Sequence, residues 1–310
     1  MRKIVATIAA IVLATGFAAA QDLASVTELF NKAATSLNDG NKAAAFEQFN
    51  NALTQATALG EEGAEIVANC KDLLPKLVVS IAKDLVKDSD LDGAIAKLGE
   101  AIELAKNYNS EEALADAQEL LPQVKKQKGA NFLKDKDYAA AAEVFKAILA
   151  DDPADGVSAL RLGQSLNALG KADEAIAAFE TAAANGQEAN ANKQIGNVYL
   201  KKAAAALKEK KYNDAVTAAV KTTEYGDNAQ AWQIAGQASQ LAGKNADAIT
   251  YLEKYLEMSP DAKNAGQIAY TIGALYQTAK NNAKAKEFYT KALTDPKYGV
   301  EAKKLLDALK

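Results

Sequence analysis

Glycine recurs at one phase within stretches of this chain that otherwise favour alanine and leucine, and that recurrence restricts its fold more than any other feature. Gly129 is followed by Ala141 and Phe145, Gly163 by Ala175 and Phe179, Gly236 by Ala248 and Leu252, and Gly273 by Ala285 and Tyr289. In each set the small residue precedes an alanine by 12 positions and a large apolar residue by 16. Glycine inside a helix costs about 1 kcal/mol relative to alanine. A helix-favouring chain keeps it only where two backbones must approach closely. The paired alanine completes that contact, and the large residue one turn on fills the layer beneath. The pattern predicts antiparallel helical hairpins. None can bury its apolar face alone, so each stacks on the next.

The small alanine of the second helix can be followed through Ala45, Ala94, Ala141, Ala175, Ala215, Ala248 and Ala285, at intervals of 49, 47, 34, 40, 33 and 37 residues. Seven hairpins are expected. The long first intervals predict elongated helices in the first half, and the fourth a long helix from about Glu188 to Glu209. That helix leaves its small site ambiguous, because Gly196 and Ala203 lie seven residues apart on nearly the same face. Pro75 and Pro122 each follow Leu-Leu seven residues before a small site, Ala82 and Gly129. Proline is tolerated in a first helical turn and kinks a helix elsewhere, so each starts a helix or kinks one. Asn185-Gly186, Tyr225-Gly226-Asp227 and Ala242-Gly243 read as helix ends or turns. The tail from Val300 to Lys310 reads as an amphipathic cap with Val300, Leu305, Leu306 and Leu309 facing in.

The spacing from Gly129 to Gly163 is 34 residues, and Pro153 and Pro260 each lie 24 residues after their glycines. Trp232 stands four before Gly236, and Tyr138 and Tyr212 three before Ala141 and Ala215. With these residues the chain resembles the tetratricopeptide-repeat family. The resemblance implies an all-α solenoid of about seven hairpins, the first with elongated helices, closed by a C-terminal capping helix. The expected organisation is a cleaved leader at 1–20, long-helix repeats at 21–128, a repeat array at 129–297 and the cap at 298–310.

The resemblance also implies that the first helices of successive hairpins line a concave surface. Residues six and three before the small site, and one and four after it, share one helical face. They include Gln164 and Asn167 around Gly163, and Asn190, Lys193 and Asn197 around Gly196. Gln230, Gln233, Gln237 and Gln240 surround Gly236, and Gln267, Tyr270 and Gln277 surround Gly273. Each amide offers donors and acceptors, which suits the backbone of a peptide. The expected partner is a protein or peptide, with self-association open. Lys193 and Asn197 match half of the family's clamp for a C-terminal carboxylate. The next hairpin supplies Gln230 and Ile234 instead of basic residues, so that specificity is not carried over.

Composition removes most chemistry. The chain has no histidine and one cysteine, which excludes His-dependent zinc sites, serine triads, internal disulfides and C-x-x-C motifs. A net charge of −4 argues against nucleic acid as partner. Asp88, Asp90 and Asp92 open like a calcium loop, but its twelfth residue is Gly99, and Ala94 must already be helical. Asp90 is therefore expected to cap a helix starting near Leu91. The stretches Gly163 to Lys171 and Gly236 to Lys244 lack phosphate-loop spacing. Cys70 reads as a small buried apolar residue, and the basic runs Lys201-Lys202 and Lys208 to Lys211 as a solvated face. No enzyme activity and no cofactor are expected. The alternative to a protein-binding scaffold is a glycan- or small-ligand-binding helical-repeat protein. Against it, Phe145, Phe179, Trp232 and Tyr289 are assigned to core sites.

Arg2 and Lys3 precede an uncharged run, Ile4 to Ala20, that ends in Ala18-Ala19-Ala20. This has the form of a secretory signal peptide. A periplasmic or secreted protein with no membrane span after cleavage is the expectation. An exported protein should then begin at Gln21. Intact-mass measurement on the exported form checks this, and a mass retaining Met1 to Ala20 would make the segment an anchor.

Overall fold

The computed structural model describes residues 19–309. Within that range it contains α-helices, two short irregular helical segments and no strand. The expected leader and its cleavage point lie outside the described residues, apart from the backbone of Ala19 and Ala20 in the first helix. The helices are α1 (Ala19–Asn38), α2 (Lys42–Ala58), α3 (Ala64–Lys87), α4 (Leu91–Tyr108), α5 (Glu111–Lys134), α6 (Tyr138–Asp151), α7 (Gly156–Ala168) and α8 (Ala172–Ala182). There follow α9 (Glu188–Lys208), α10 (Tyr212–Thr223), α11 (Ala229–Leu241), α12 (Asn245–Met258), α13 (Ala265–Thr278), α14 (Asn282–Ala292) and α15 (Gly299–Ala308). The chain forms two compact units, divided between Val144 and Phe145, inside α6. In each unit, consecutive helices pack as hairpins and hairpins stack in chain order. Hairpins α1–α2 and α3–α4 in the first unit and α7–α8, α9–α10, α11–α12 and α13–α14 in the second, with a terminal helix on α14, are present where the spacing predicts them.

Helix length follows the sequence intervals. α3 and α5 have 24 residues each, whereas α7 has 13 and α8 has 11. Pro75 and Pro122 start neither long helix; both lie inside one, at its middle. Each proline lacks the N–H that would bond four residues back.

One contact recurs through the stack. The small site on the first helix faces the residue 16 positions later on the second. A Cβ on Gly163 would lie 2.5 Å from the Phe179 ring, one on Gly236 2.5 Å from Leu252, and one on Gly273 2.7 Å from the Tyr289 ring. Ala33 with Phe49, and Ala82 with Leu98, fill the same roles in the first unit, all of them fully buried. In the hairpin of α9 and α10 the ambiguity resolves to Ala203. It is fully buried in a cluster with Ala219. Gly196 has room: its nearest neighbours to an added Cβ, Thr222 O and Tyr225 Cβ, are both 3.7 Å away.

A second regularity sits seven residues after each small site. Gly40, Ser89, Lys136, Gly170, Lys210, Gly243 and Lys280 all have left-handed φ, between 60° and 82°. The next N–H in each turn bonds a carbonyl five residues earlier, as in Asn41 N to Ser36 O at 2.8 Å and Lys244 N to Ser239 O at 2.8 Å. This backbone turn satisfies helix-end carbonyls and reverses the chain. Four of these positions carry a side chain, so the turn is not announced by glycine. The residue after it caps the following helix where it can accept. Asn41, Asp90, Asp137 and Asn281 each accept an N–H three residues on. Asp90 takes that role with Gly93 N at 2.9 Å, and Asp92 pairs with Lys128, so the calcium-loop look-alike is a capped helix start.

The terminal helix corrects one expectation. Ala302, Leu305, Leu306 and Leu309 pack on the last hairpin. Val300 is 70% exposed. Positions 302, 305, 306 and 309 lie on one face, and Val300 falls about 200° from Ala302 on a helix advancing about 100° per residue. Cys70 is fully buried in the first core cluster, and burial pushes its thiol up to about 12.

Substitutions at the two helix-interior glycines should diverge. Gly236→Leu should destabilise the second unit by about 1–3 kcal/mol through overpacking against Leu252. Gly196→Ala should instead stabilise it by up to about 1 kcal/mol from helix propensity alone. Differential scanning calorimetry on the two variants checks this, and a Gly236→Leu midpoint equal to wild type would refute the close approach.

Candidate functional site

Four first helices of the second unit, α7, α9, α11 and α13, carry the predicted stripe. Counted from Gly163, Ala203, Gly236 and Gly273, no position at minus six, minus three, plus one or plus four bears a charge. In the first unit the same face of α3 carries Lys76 and Lys83, and both are engaged. Lys76 pairs with Glu112 of α5 at 3.1 Å and with Asp72 at 2.9 Å, and Lys83 pairs with Asp116 of α5 at 2.8 Å. The carboxylates beside Lys76 hold its ammonium above the usual lysine range. Ion pairs thus join neighbouring helices along that face of the first unit, whereas the four helices in the second carry neutral groups there.

The neutral groups differ in what they are free to do. On α11, Gln230 and Gln240 are exposed and Gln233 and Gln237 half-buried. These four side chains make no hydrogen bond within the described protein. On α7, Gln164 and Asn167 are half-buried, and Gln164 Oε1 accepts from Arg161 Nη1 at 3.1 Å. On α13, Gln267 is exposed, but Gln277 Oε1 accepts the Tyr289 hydroxyl at 2.6 Å. Tyr270 stacks on Tyr298 with ring centroids 5.2 Å apart, and Tyr289 lies 5.8 Å away. Gln277 and Tyr270 therefore serve the core and the linker to α15. No sequence signal marked Tyr298, because it lies outside any hairpin.

The register change on α9 moves its stripe. Asn190, Lys193 and Asn197 are all exposed. Relative to Ala203, only Asn197 holds a stripe position. Asn190 and Lys193 stand one heptad further out, rotated by about 20°, so they lie on the same side but nearer the helix start. Leu200, Ala204 and Leu207 occupy the other three positions. Val157, at the first stripe position of α7, is 48% exposed. Leu200 and Leu207 on the neighbouring α9 therefore put apolar side chains at the stripe positions next to the amide run of α11.

Other chemistry is sparse. Among the described residues no three of His, Cys, Asp or Glu cluster as a metal-binding group, and no helix is long and apolar enough to cross a membrane. Of the basic runs, Lys202 pairs with Asp173 and Lys211 with Glu209, both at 2.8 Å and both partly solvated. Phe145, Phe179 and Tyr289 are buried as expected. Trp232 is only half-buried: it packs against the cluster around Leu252 and Ile268, stacked on Tyr251 at 5.6 Å with the Lys254 ammonium 4.1 Å from its ring.

Comparison with known proteins adds the following. Three tetratricopeptide-repeat profiles match residues 132–195, 200–263 and 266–294, together about half the chain. No curated protein matches. Among solved structures, MamA of strain AMB-1 is 21% identical, with 60% of this chain and 98% of that one covered at a TM-score of 0.38. MamA from Desulfovibrio magneticus RS-1 is 17% identical, covering 60% and 97% at 0.34. A thermophilic repeat protein from Thermus thermophilus is 17% identical, covering 61% and 98% at 0.27.

The distinction between engaged and free amides is measurable. Gln277→Leu should cost about 1 kcal/mol or more, because the Tyr289 hydroxyl loses its acceptor. Gln240→Leu, at an exposed position, should stay within about 0.5 kcal/mol of wild type. Urea denaturation of both variants decides, and equal losses would mean that the Tyr289 contact contributes nothing.

Proposed function

Because the chain belongs to the tetratricopeptide-repeat family, we propose that it is a non-enzymatic scaffold that holds a partner's peptide segment against the amide-bearing face of α11 and its neighbours. Proteins of this family are generally protein–protein interaction scaffolds. The observation that carries the reading is the set Gln230, Gln233, Gln237 and Gln240, four amides on one face with no internal partner. An amide can donate to a peptide carbonyl and accept from a peptide N–H. A neutral wall does not select for charge, so an extended backbone is the ligand it suits. Leu200 and Leu207 of the neighbouring α9 supply apolar contact beside it. The half-buried Tyr270 and Tyr298 bound the stripe at α13.

The place of action in this reading is the cell envelope or the exterior. Its support is the form of residues 1–20: a positive start, an uncharged run and small residues at Ala18 and Ala20. The lone thiol, buried, is compatible with an oxidising compartment.

Changing Gln233, Gln237 and Gln240 together to Glu tests the binding face. A carboxylate accepts but does not donate, so a partner carbonyl facing it loses its bond at a cost of about 1–3 kcal/mol per site. Capture of the native partner by crosslinking in the envelope should fall by at least tenfold, one such loss being about 1.4 kcal/mol. Circular dichroism should be unchanged. A control with Asp247→Asn and Thr250→Ala on α12 should capture normally. Equal capture by both variants would leave the stripe as plain solvent-facing surface.

A further inference from the structure

We infer that the second unit holds a second, separate site: a cleft for a small organic cation carrying an apolar stem. The cleft lies between the end of α12, the loop 259–264, the start of α13 and α14, with a volume of about 720 Å³. That is within the roughly 300–1,000 Å³ usual for small-molecule sites. Its floor is apolar, made by Leu256, Ala269 and Phe288. On α13 its wall is formed by positions 265, 266 and 269, centred about a third of a helical turn away from the stripe positions Gln267 and Tyr270. It is not part of the amide face.

The frame of the cleft is fixed at both ends. The Tyr255 hydroxyl donates to Asn264 Oδ1 at 2.6 Å and pins the loop that carries Pro260. At the other end Gly266 presses on Asp295, where an added Cβ would lie 2.5 Å from Asp295 Cβ. Asp295 Oδ1 in turn accepts from Lys297 N and Tyr298 N, both at 2.9 Å. A cleft held open in this way does not collapse to bury its own floor.

The charge around the cleft selects the ligand. Glu253, Glu257, Asp261 and Asp295 line it, together with Lys263, Lys284 and Lys291. Lys284 and Lys291 are both held by Glu287, at 2.8 and 3.0 Å. Glu253 accepts the Tyr276 hydroxyl at 2.8 Å and also lies in the field of the Lys284 ammonium. Glu257 and Asp261 have no ion-pair partner within the described protein, and of the ammonium groups lining the cleft only Lys263 is without a carboxylate there. Four carboxylates and three ammonium groups therefore line the cleft, and two of those ammonium groups are already held by Glu287 outside the lining. An ammonium or guanidinium on a hydrocarbon stem satisfies both features at once. A fatty acid meets the wrong charge, and an uncharged alcohol leaves the carboxylates as they were.

The test uses n-hexylammonium as the probe, with hexanol and hexanoate as matched controls, followed by methyl and amide NMR on the protein from Gln21. Saturable shifts at Leu256, Ala269 and the Phe288 neighbourhood with hexylammonium are expected, weaker shifts with hexanol and none with hexanoate. Glu257→Gln with Asp261→Asn, both at exposed positions, should weaken hexylammonium about three- to tenfold, the range for a partly solvated charge contact. The triple glutamate variant of α11 should bind the amine normally, so this site and the peptide-binding face fail or stand separately. Absence of saturable shifts in the cleft, hexanol binding as tightly as the amine, or an unaffected double variant would each overturn the assignment.

Discussion

The fold depends on a single close contact, repeated: a residue with little or no side chain on one helix, set against a large buried side chain on the next. At Gly163, Gly236 and Gly273 the neighbouring Phe179, Leu252 and Tyr289 stand where a Cβ would be. Interiors packed to crystal-like density leave such contacts little freedom. Each contact sets the separation of two helices, and the left-handed turn seven residues later sets their reversal. Together these make a hairpin whose remaining apolar face needs a neighbour. The stacking of hairpins and the terminal helix that covers the last one both follow from that need. Where the small site is Ala203, the opposing residue shrinks to Ala219, so the pair still fits.

Much of this was legible in the residues because the contact demands glycine or alanine at a fixed spacing. The order of the helices, the long early helices and the cap at Asp90 all follow from it. The failures have physical causes. The turn itself was hidden, because Ser89, Lys136, Lys210 and Lys280 accept a left-handed φ that sequence reasoning assigns to glycine. The long α9 offered two small residues a heptad apart, and helical periodicity cannot separate them. Only the opposing helix does, by burying Ala203 and leaving Gly196 loose. Trp232 looked like full core because large aromatics usually are, but it sits at the edge of the cluster, half-buried between that core and the Tyr251 and Lys254 side chains.

The candidate face was legible as a row of amides and not as a set of free ones. Whether an amide is available depends on side chains that periodicity does not pair with it. Gln277 is taken by Tyr289 and Gln164 by Arg161, while the four glutamines of α11 are not. The contrast between the two units has the same origin. Lysines on α3 meet carboxylates on α5, whereas the matching positions of α7, α9, α11 and α13 carry no charge to pair. The cleft beside α12 was invisible for a further reason. Its walls come from one helix end, a loop and two other helices, a grouping that follows no period.

The burial of Cys70 bears on how the chain would fare under the export proposed for it. With a thiol pKa of about 12, the thiolate fraction at neutral pH is about one in 10⁵, and the sulfur is shut away from any attacking disulfide. Exchange with glutathione or with an oxidoreductase needs both an ionised sulfur and access to it. The folded protein offers neither, so its redox vulnerability is confined to the interval before folding. The second hairpin, α3 with α4, closes that interval when it docks on the first. With one cysteine the chain has no internal crosslink to form and none to repair.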